Sequence, residues 1–172
     1  MVSSIERISV LLAPYRQGDA RLNPGKAAMI RIESPPEAGI RYTHRPGAYA
    51  ILMLDGQVLV TFQRSPRAEF QLPGGGIDPG EGAVRALHRE VYEETGYRLM
   101  APRRLGAHRR FVWMPDYQIH AEKVCHIYLA RPTLRIGPPV EPEHEALWMA
   151  AEEAVQQLSI PGDARFLETL LR

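Results

Sequence analysis

The chain reads as an α/β domain. Three patterns predict this class. Ala48 to Leu54 and Val58 to Phe62 are apolar runs separated by the turn dipeptide Asp55-Gly56, a β-hairpin signal. The glycine-rich Pro73-Gly74-Gly75-Gly76 runs into a helical pattern that stops at Gly96. After that, strand-like and helix-like segments follow one another to Leu171.

Residues 1 to 40 are the least patterned. Arg16-Gln17-Gly18-Asp19 and Glu33-Ser34-Pro35-Pro36 punctuate them like loops, and Ile30-Arg31-Ile32 fits a short strand. We expect an N-terminal extension here, packed on the domain or on a partner subunit, with partial disorder as the alternative, and a domain over 41 to 172. Phe70-Gln71-Leu72 predicts a short strand before the glycines. The helix is expected to start between Gly80 and Gly82 and to end at Thr95, with Gly96 just past it. Strands are expected over Arg104 to Trp113 and Ile119 to Ala130, joined by the turn Pro115-Asp116-Tyr117. Leu147-Trp148-Met149 reads as a last short strand, and Ala150 to Leu158 and Ala164 to Leu171 as helices.

At 172 residues, 45% hydrophobic and 24% charged, the chain suits one globular domain with a sizeable core. Twenty-one basic and twenty acidic residues leave a formal net charge of +1, which argues against a dedicated nucleic-acid or membrane binder. No run approaches the ~18 apolar residues of a membrane span. The single cysteine, Cys125, excludes an intrachain disulfide and reads as a small buried hydrophobe in a strand. These features together predict a cytoplasmic protein.

The helix after the glycines carries an arrangement that a purely structural helix would avoid. With Glu90 at zero and roughly 100° per residue, Glu93 falls near about −60° and Glu94 near about +40°. Ala83, Leu87, Val91 and Val84 occupy roughly +20° to +120° on the same wheel. Glu94 therefore points into the sector to be buried, and Glu90 borders it. Like charges at these spacings repel, and all three acids stand at the negative end of the helix dipole. A hard divalent cation would reverse each penalty, and carboxylate ligation suits Mg²⁺ or Mn²⁺ rather than zinc. Ala83 and Ala86 leave room beside the acids. The rival reading is a solvated acidic face. The glycines weigh against it, since backbone there can approach a ligand, offer carbonyls to a metal and N–H groups to phosphate.

Gly75, Glu81 and Arg89-Glu90-Val91-Tyr92-Glu93-Glu94-Thr95-Gly96-Tyr97 resemble the Nudix box: glycine, five residues, Glu, seven residues, then Arg-Glu-aliphatic-x-Glu-Glu-x-Gly-hydrophobic. Every defining position of the box, residues 75 to 97, is matched, with Tyr97 aromatic where an aliphatic residue is usual. Leu72-Pro73-Gly74 is also typical, and the order of elements is similar from about Tyr42 to Leu171. The resemblance implies an α/β/α sandwich with a mixed sheet, and a Mg²⁺- or Mn²⁺-dependent hydrolase of a phosphoanhydride bond in a nucleoside diphosphate linked to another group. By position, Glu90, Glu93 and Glu94 would hold metal with the Gly75 carbonyl. Arg89 would orient a carboxylate together with Glu81, or form a structural salt bridge along a Glu81-Arg85-Arg89 ladder. The general base would be Glu93, Glu94 or an acid of the later segment Glu141-Pro142-Glu143-His144-Glu145, where Glu143 is preferred over Glu145. Dimerisation is common in the family, and the extension is a candidate to mediate a homodimer.

The substrate is less legible. Arg64 and Arg67 could contact phosphates, as could the backbone of Gly74, Gly75 and Gly76. Arg103, Arg104, Arg109 and Arg110 make a basic stripe that alternation reads as a solvated edge. Phe62, Phe70, Phe111, Trp113 and Tyr117 are candidates to stack on a base, although most aromatics at strand spacing are core. His44, His108, His120 and His126 read as structural. A small nucleotide is the expected partner. An RNA 5′-pyrophosphohydrolase and a non-catalytic nucleotide-binding module are the alternatives.

Overall fold

The computed structural model describes residues 29–31, 35–65 and 67–172. What was expected of residues 1 to 28 and of Ile32 lies outside them. Eight strands and three helices are described: β1 (Met29–Arg31), β2 (Thr43–Leu54), β3 (Gln57–Gln63), β4 (Glu69–Gln71), β5 (Gly74–Gly76), α1 (Ala83–Thr95), β6 (Tyr97–Met114), β7 (Ile119–Arg135), β8 (His144–Ala150), α2 (Ala151–Gln157) and α3 (Pro161–Leu171). The sheet runs β1-β6-β7-β2-β3-β4, with β5 against β2 and β8 against β3. Two of its pairings, β1 with β6 and β2 with β7, are parallel and the rest antiparallel, so the sheet is mixed.

β2 shows how the sequence builds the layers. Its side chains alternate between two cores. Ala48, Ala50 and Leu52 join Leu87 and Val91 of α1. Tyr49, Ile51 and Met53 join Ala154 of α2 and Phe166, Leu167 and Leu170 of α3. Helices therefore cover both faces, giving the α/β/α sandwich. Alanines at 48 and 50 keep the α1 side of the strand low, which lets the helix lie close.

The hairpin forms as expected, with Asp55 (φ 49) and Gly56 (φ 77) both left-handed, as a primed two-residue turn requires. β2 and β3 then separate. Beyond the Leu52–Leu59 pair, β2 takes β5 as its partner and β3 takes β4. The glycine triplet is thus a paired strand, not the open loop expected from the sequence.

Helix α1 begins at Ala83 and ends where expected. Gly96 sits at φ 73 and donates its N–H to the Tyr92 carbonyl at 2.8 Å. A Cβ on Gly96 would also collide with the Gly137 carbonyl, so glycine is required twice over. Glu81, placed on the helix by the ladder reading, lies just before it. Val84, read as buried, is 43% exposed because it sits in the first turn.

β6 and β7 are longer than their patterns suggested. Register shifts around Leu99 to Gly106 absorb Pro102 and the left-handed Ala101 (φ 51), a bulge that interrupts the apparent periodicity without ending the strand. β6 is also an edge only in part, since β1 covers its far side at Ala107 to Arg109. The basic stripe is accordingly a solvated rim only in part: Arg104 is exposed, whereas Arg109 pairs with Glu122 at 3.1 Å, and Arg103 and Arg110 are half-buried. α3 starts at Pro161, three residues before the expected Ala164, with proline in its first turn. Cys125 is buried, and no described helix is long and apolar enough to cross a membrane.

A buried ion pair ties α3 to the sheet. His108 Nε2 lies 2.8 Å from Asp163 Oδ1, both side chains essentially inaccessible. Gly162 is needed beside it, because a Cβ there would run into the imidazole. Burial opposes a charged imidazole, but hydrogen bonds to Asp163 and Cys125 outweigh it and lift the His108 pKa to about 9. The folded value lies above the unfolded one of roughly 6.5. The contribution to stability is therefore complete below that value and lost as pH rises through about 9. Asp163→Ala, which strands the buried imidazolium, should cost about 3 kcal/mol at pH 6.5 and remove the fall in stability across that window, read by urea unfolding at stepped pH.

Candidate active site

One face of α1 buries carboxylates. Glu94 is 7% exposed, and Glu90 and Glu93 are half-buried beside it. Gly74 donates its N–H to Glu94 Oε2 at 2.9 Å, so this amide is already engaged and does not wait for a phosphate as the sequence suggested. Gly75 lies directly over Glu90, close enough that a Cβ would strike the carboxylate. β5 is therefore made of glycine for two reasons. Gly74 carries a φ of 143 against the Ala48 carbonyl, and Gly75 leaves the space that the Glu90 head occupies.

Arg89 organises the other side. Its Nε and Nη2 grip both oxygens of Glu81 at 3.1 and 2.7 Å. Its Nη1 donates to Glu90 at 2.7 Å and to Glu93 at 3.3 Å, and Nη2 also reaches the Gly76 carbonyl at 3.0 Å. One guanidinium thus joins three carboxylates to β5, and the planar fork explains why arginine serves here. The two roles left open for Arg89 coincide: the salt bridge to Glu81 is what aims it at Glu90 and Glu93.

The segment after β7 closes over the end of α1. Val140 and Glu141 donate their N–H groups to the Glu93 carbonyl at 2.7 and 3.3 Å, and Ile136 donates to the Gly96 carbonyl at 2.8 Å. These bonds satisfy carbonyls that a helix C-terminus leaves open. They also bring in a fourth acid. His144 stands between Glu141, with Nδ1 2.7 Å from Oε2, and Glu94, with Nε2 3.5 Å from Oε1. Potential ligand atoms of Glu94, Glu141 and His144 lie within 4.8 Å of one another.

The loop acid turned toward the helix is thus Glu141, not Glu143, which is exposed and whose backbone carbonyl accepts the Arg64 N–H at 3.1 Å. Neither Glu141 nor His144 was singled out beforehand. The signal available was the Glu141-x-x-His144 spacing just before a strand, which puts both side chains on one side of a tight turn. Arg64 is exposed and pairs with Glu145 at 3.1 Å. Of the aromatics considered for stacking, Phe62 packs on Phe70 and Phe111 on Tyr42, while Trp113 and Tyr117 are exposed.

Electrostatics register the crowding. Burial pushes the Glu94 carboxyl well above its ordinary range against the help of the Gly74 amide, and Glu90 and Glu141 push it further. Burial also raises Glu90, opposed by Arg89 and reinforced by Glu93 and Glu141. Glu81, held by Arg89, is lowered. Beside this cluster is a cleft of about 450 Å³ lined by Gln63, Ser65, Asp116 and residues 141 to 144. Two carboxylates that resist ionisation, aimed at a small-residue strand beside a cleft, form a site able to take a cation.

Comparison with known proteins points the same way. The family model for the NUDIX domain matches residues 43–170. The CTP pyrophosphohydrolase of Escherichia coli (strain K12) is 30% identical over 127 residues, 71% of this chain and 87% of that protein. A relative from Bacillus subtilis (strain 168) aligns at 38% identity over 64 residues, 37% of this chain and 43% of its own length, so the chain spans under half of it. Among solved structures, a MutT NUDIX hydrolase from Burkholderia pseudomallei superposes with a TM-score of 0.55 at 27% identity, over 75% of this chain and 96% of that one. A NUDIX hydrolase from Nitrosomonas europaea shares the fold, with a TM-score of 0.61 at 17% identity over 73% and 87% of the two chains.

Gly75→Ala tests the fit between β5 and Glu90. The added Cβ meets only the end of a flexible side chain, so the protein should stay folded with a loss of about 1 kcal/mol. If the acids hold Mg²⁺, millimolar MgCl₂ should raise the Tm of the wild type, and the displaced carboxylate should abolish that rise, measured by scanning fluorimetry.

Proposed function

This chain belongs to the NUDIX family, and from that membership we propose that it is a metal-dependent pyrophosphohydrolase of nucleoside di- or polyphosphate derivatives. One observation carries the reading. Glu90, Glu93 and Glu94 of a single helix are gathered, against their mutual repulsion, onto a glycine strand and met there by Glu141.

The residues fit a divalent ion of the Mg²⁺ or Mn²⁺ type. The donors are carboxylates, to which the Gly75 carbonyl would add another oxygen, and all-oxygen ligation suits hard cations. The missing Cβ at Gly75 leaves the Glu90 head where it is needed, and the raised Glu90 and Glu94 have charge that a cation would stabilise. Glu90, Glu93 and Glu94 would hold it, with Glu141 and His144 at its border. Such an ion neutralises phosphate oxygens and lowers the pKa of bound water.

The chain's own groups supply the rest. Arg89 fixes two carboxylates in direction so that neither has to be ordered when substrate arrives. The Gly74 amide fixes a third. In the reaction, a water oxygen forms a bond to one phosphorus as the bridging P–O bond opposite it breaks, and the second phosphate leaves with the bridging oxygen and the electron pair. A carboxylate takes the water proton. We assign that role to Glu141, which borders the cleft without being tied to Arg89. The named activity of the Escherichia coli relative makes a free nucleotide the first substrate to try. Relatives named RNA pyrophosphohydrolases align over only 50 to 57 residues, and they make a 5′-triphosphorylated RNA the second.

A nucleotide panel with MgCl₂ and phosphate detection tests the proposal. Glu93→Gln and Glu94→Gln should nearly abolish turnover with the fold intact, and either variant keeping activity within a few-fold of wild type would contradict it. Because folding raises the Glu94 pKa, its charged form costs stability above the ordinary carboxylate range. Metal-free Glu94→Gln should therefore melt roughly 2–4 °C above wild type at pH 8, yet lose the response to MgCl₂. To separate the loop acids, Glu141→Gln should lower kcat by about 10²-fold or more, and Glu143→Gln by much less. The reverse order would return the base to Glu143.

A further inference from the structure

Glu94 and Glu141 are joined by an imidazole whose contacts are not those of an ordinary hydrogen-bonded histidine. His144 opens β8, and its backbone N–H donates to the Glu141 carbonyl at 3.2 Å, a tight turn that folds the two residues together. Its Nδ1 lies 2.7 Å from Glu141 Oε2 and its Nε2 3.5 Å from Glu94 Oε1. Nδ1 is nevertheless enclosed without a hydrogen-bond partner, so the 2.7 Å contact is close but not aligned. The longer contact stands at the far limit of hydrogen bonding. Glu94 itself is 7% exposed and spends Oε2 on the Gly74 amide, which leaves Oε1 turned to His144.

A histidine kept only as a counter-charge between two acids is expected to hydrogen-bond at least one of them, since enclosed polar groups are satisfied as a rule. Donors to a shared ion behave differently. They point at the ion rather than at each other, and with metal–ligand distances of about 2.1 Å they stand roughly 3 to 4 Å apart. Candidate donor atoms of Glu94, Glu141 and His144 all lie within 4.8 Å of one another, within side-chain rotation of that range. This set also differs in chemistry from Glu90, Glu93 and the Gly75 carbonyl, which offer oxygen alone. One donor in three here is nitrogen. Imidazole favours first-row transition ions, whereas Mg²⁺ keeps to oxygen.

Resting on the reading of the acids as a cation site, we propose that His144 is a nitrogen ligand, with Glu94 and Glu141 as its oxygen partners. It makes this end of α1 take a first-row transition ion in preference to Mg²⁺. Glu141 turns Oε2 to that position, and the water proton falls to its other oxygen.

The test uses the full-length, untagged, metal-free protein without nucleotide. In calorimetric titrations with CoCl₂ and with MgCl₂, His144→Gln should weaken Co²⁺ binding about ten-fold or more and change Mg²⁺ binding by less than about three-fold. The Mn²⁺-loaded wild type should show imidazole nitrogen coupling in its electron spin-echo spectrum, and the variant should lack it. The wild-type spectrum keeps the proposal open to failure even where the variant does not fold. A wild type without nitrogen coupling, coupling that persists in His144→Gln, or a variant that binds Co²⁺ as tightly as wild type overturns the inference. An equal change for both ions also overturns it, because a counter-charge lost beside two acids favours every cation alike. If wild type still binds Mg²⁺ in those cases, the hydrolase reading stands without the nitrogen ligand. Histidine-dependent Co²⁺ binding with no nucleotide hydrolysed sustains the ligand and removes the hydrolase reading instead.

Discussion

Three carboxylates on one helical turn and a half repel each other, and the rest of this structure is arranged so that they stay together. Arg89 is the principal restraint. By spending one fork on Glu81 it becomes rigid, and its remaining N–H groups reach Glu90 and Glu93 without further ordering. The Gly74 amide does for Glu94 what Arg89 does for the other two. Charge-assisted hydrogen bonds of this kind are strong because both partners are preorganised in a partly dehydrated place.

The sheet exists in the form it does because β5 must lie under those acids. β2 and β3 part company after the hairpin, and the short β4–β5 unit enters the gap between them. That entry needs a backbone without side chains at Gly74 and Gly75, and a strand β2 with alanines at the α1-facing positions 48 and 50. The same parting makes β3 a two-sided strand that carries β8, so that the segment preceding β8 is delivered to the end of α1. Capping the helix and presenting Glu141 with His144 are one event.

Stability is concentrated away from the acids. The apolar cores on both faces and the His108–Asp163 pair anchor α3 and the central strands. The cleft, by contrast, is lined by acidic groups and adjoins the crowded carboxylates of α1. Arrangements that oppose folding and cluster in a cleft are expected where binding, not packing, has set the residues. The separation of the two regions lets the domain hold charges that a small core alone would not tolerate.

The hairpin, the span of α1, its glycine stop and the conflict between its acids and its buried sector were all readable in the sequence. Each follows from local spacing: a two-residue turn, a 3.6-residue period, a left-handed cap. Other features were not readable, because they depend on partners distant in the chain. That the glycine triplet pairs with β2, that β1 covers β6 at Ala107 to Arg109 with Arg109 and Arg110 half-buried, and that bulges carry β6 past Pro102 are consequences of register. The choice of Glu141 over Glu143 is the sharpest case. The two are the same residue type, separated only by Pro142. Only the hydrogen bonds that seat residues 136 to 141 on the end of α1 decide which carboxylate turns inward. The sequence by itself determined that the helix would crowd three acids against its buried sector; tertiary structure decided which groups share the cleft, because a helix sets its own angular order while the neighbours of a loop are set by whatever it must cap.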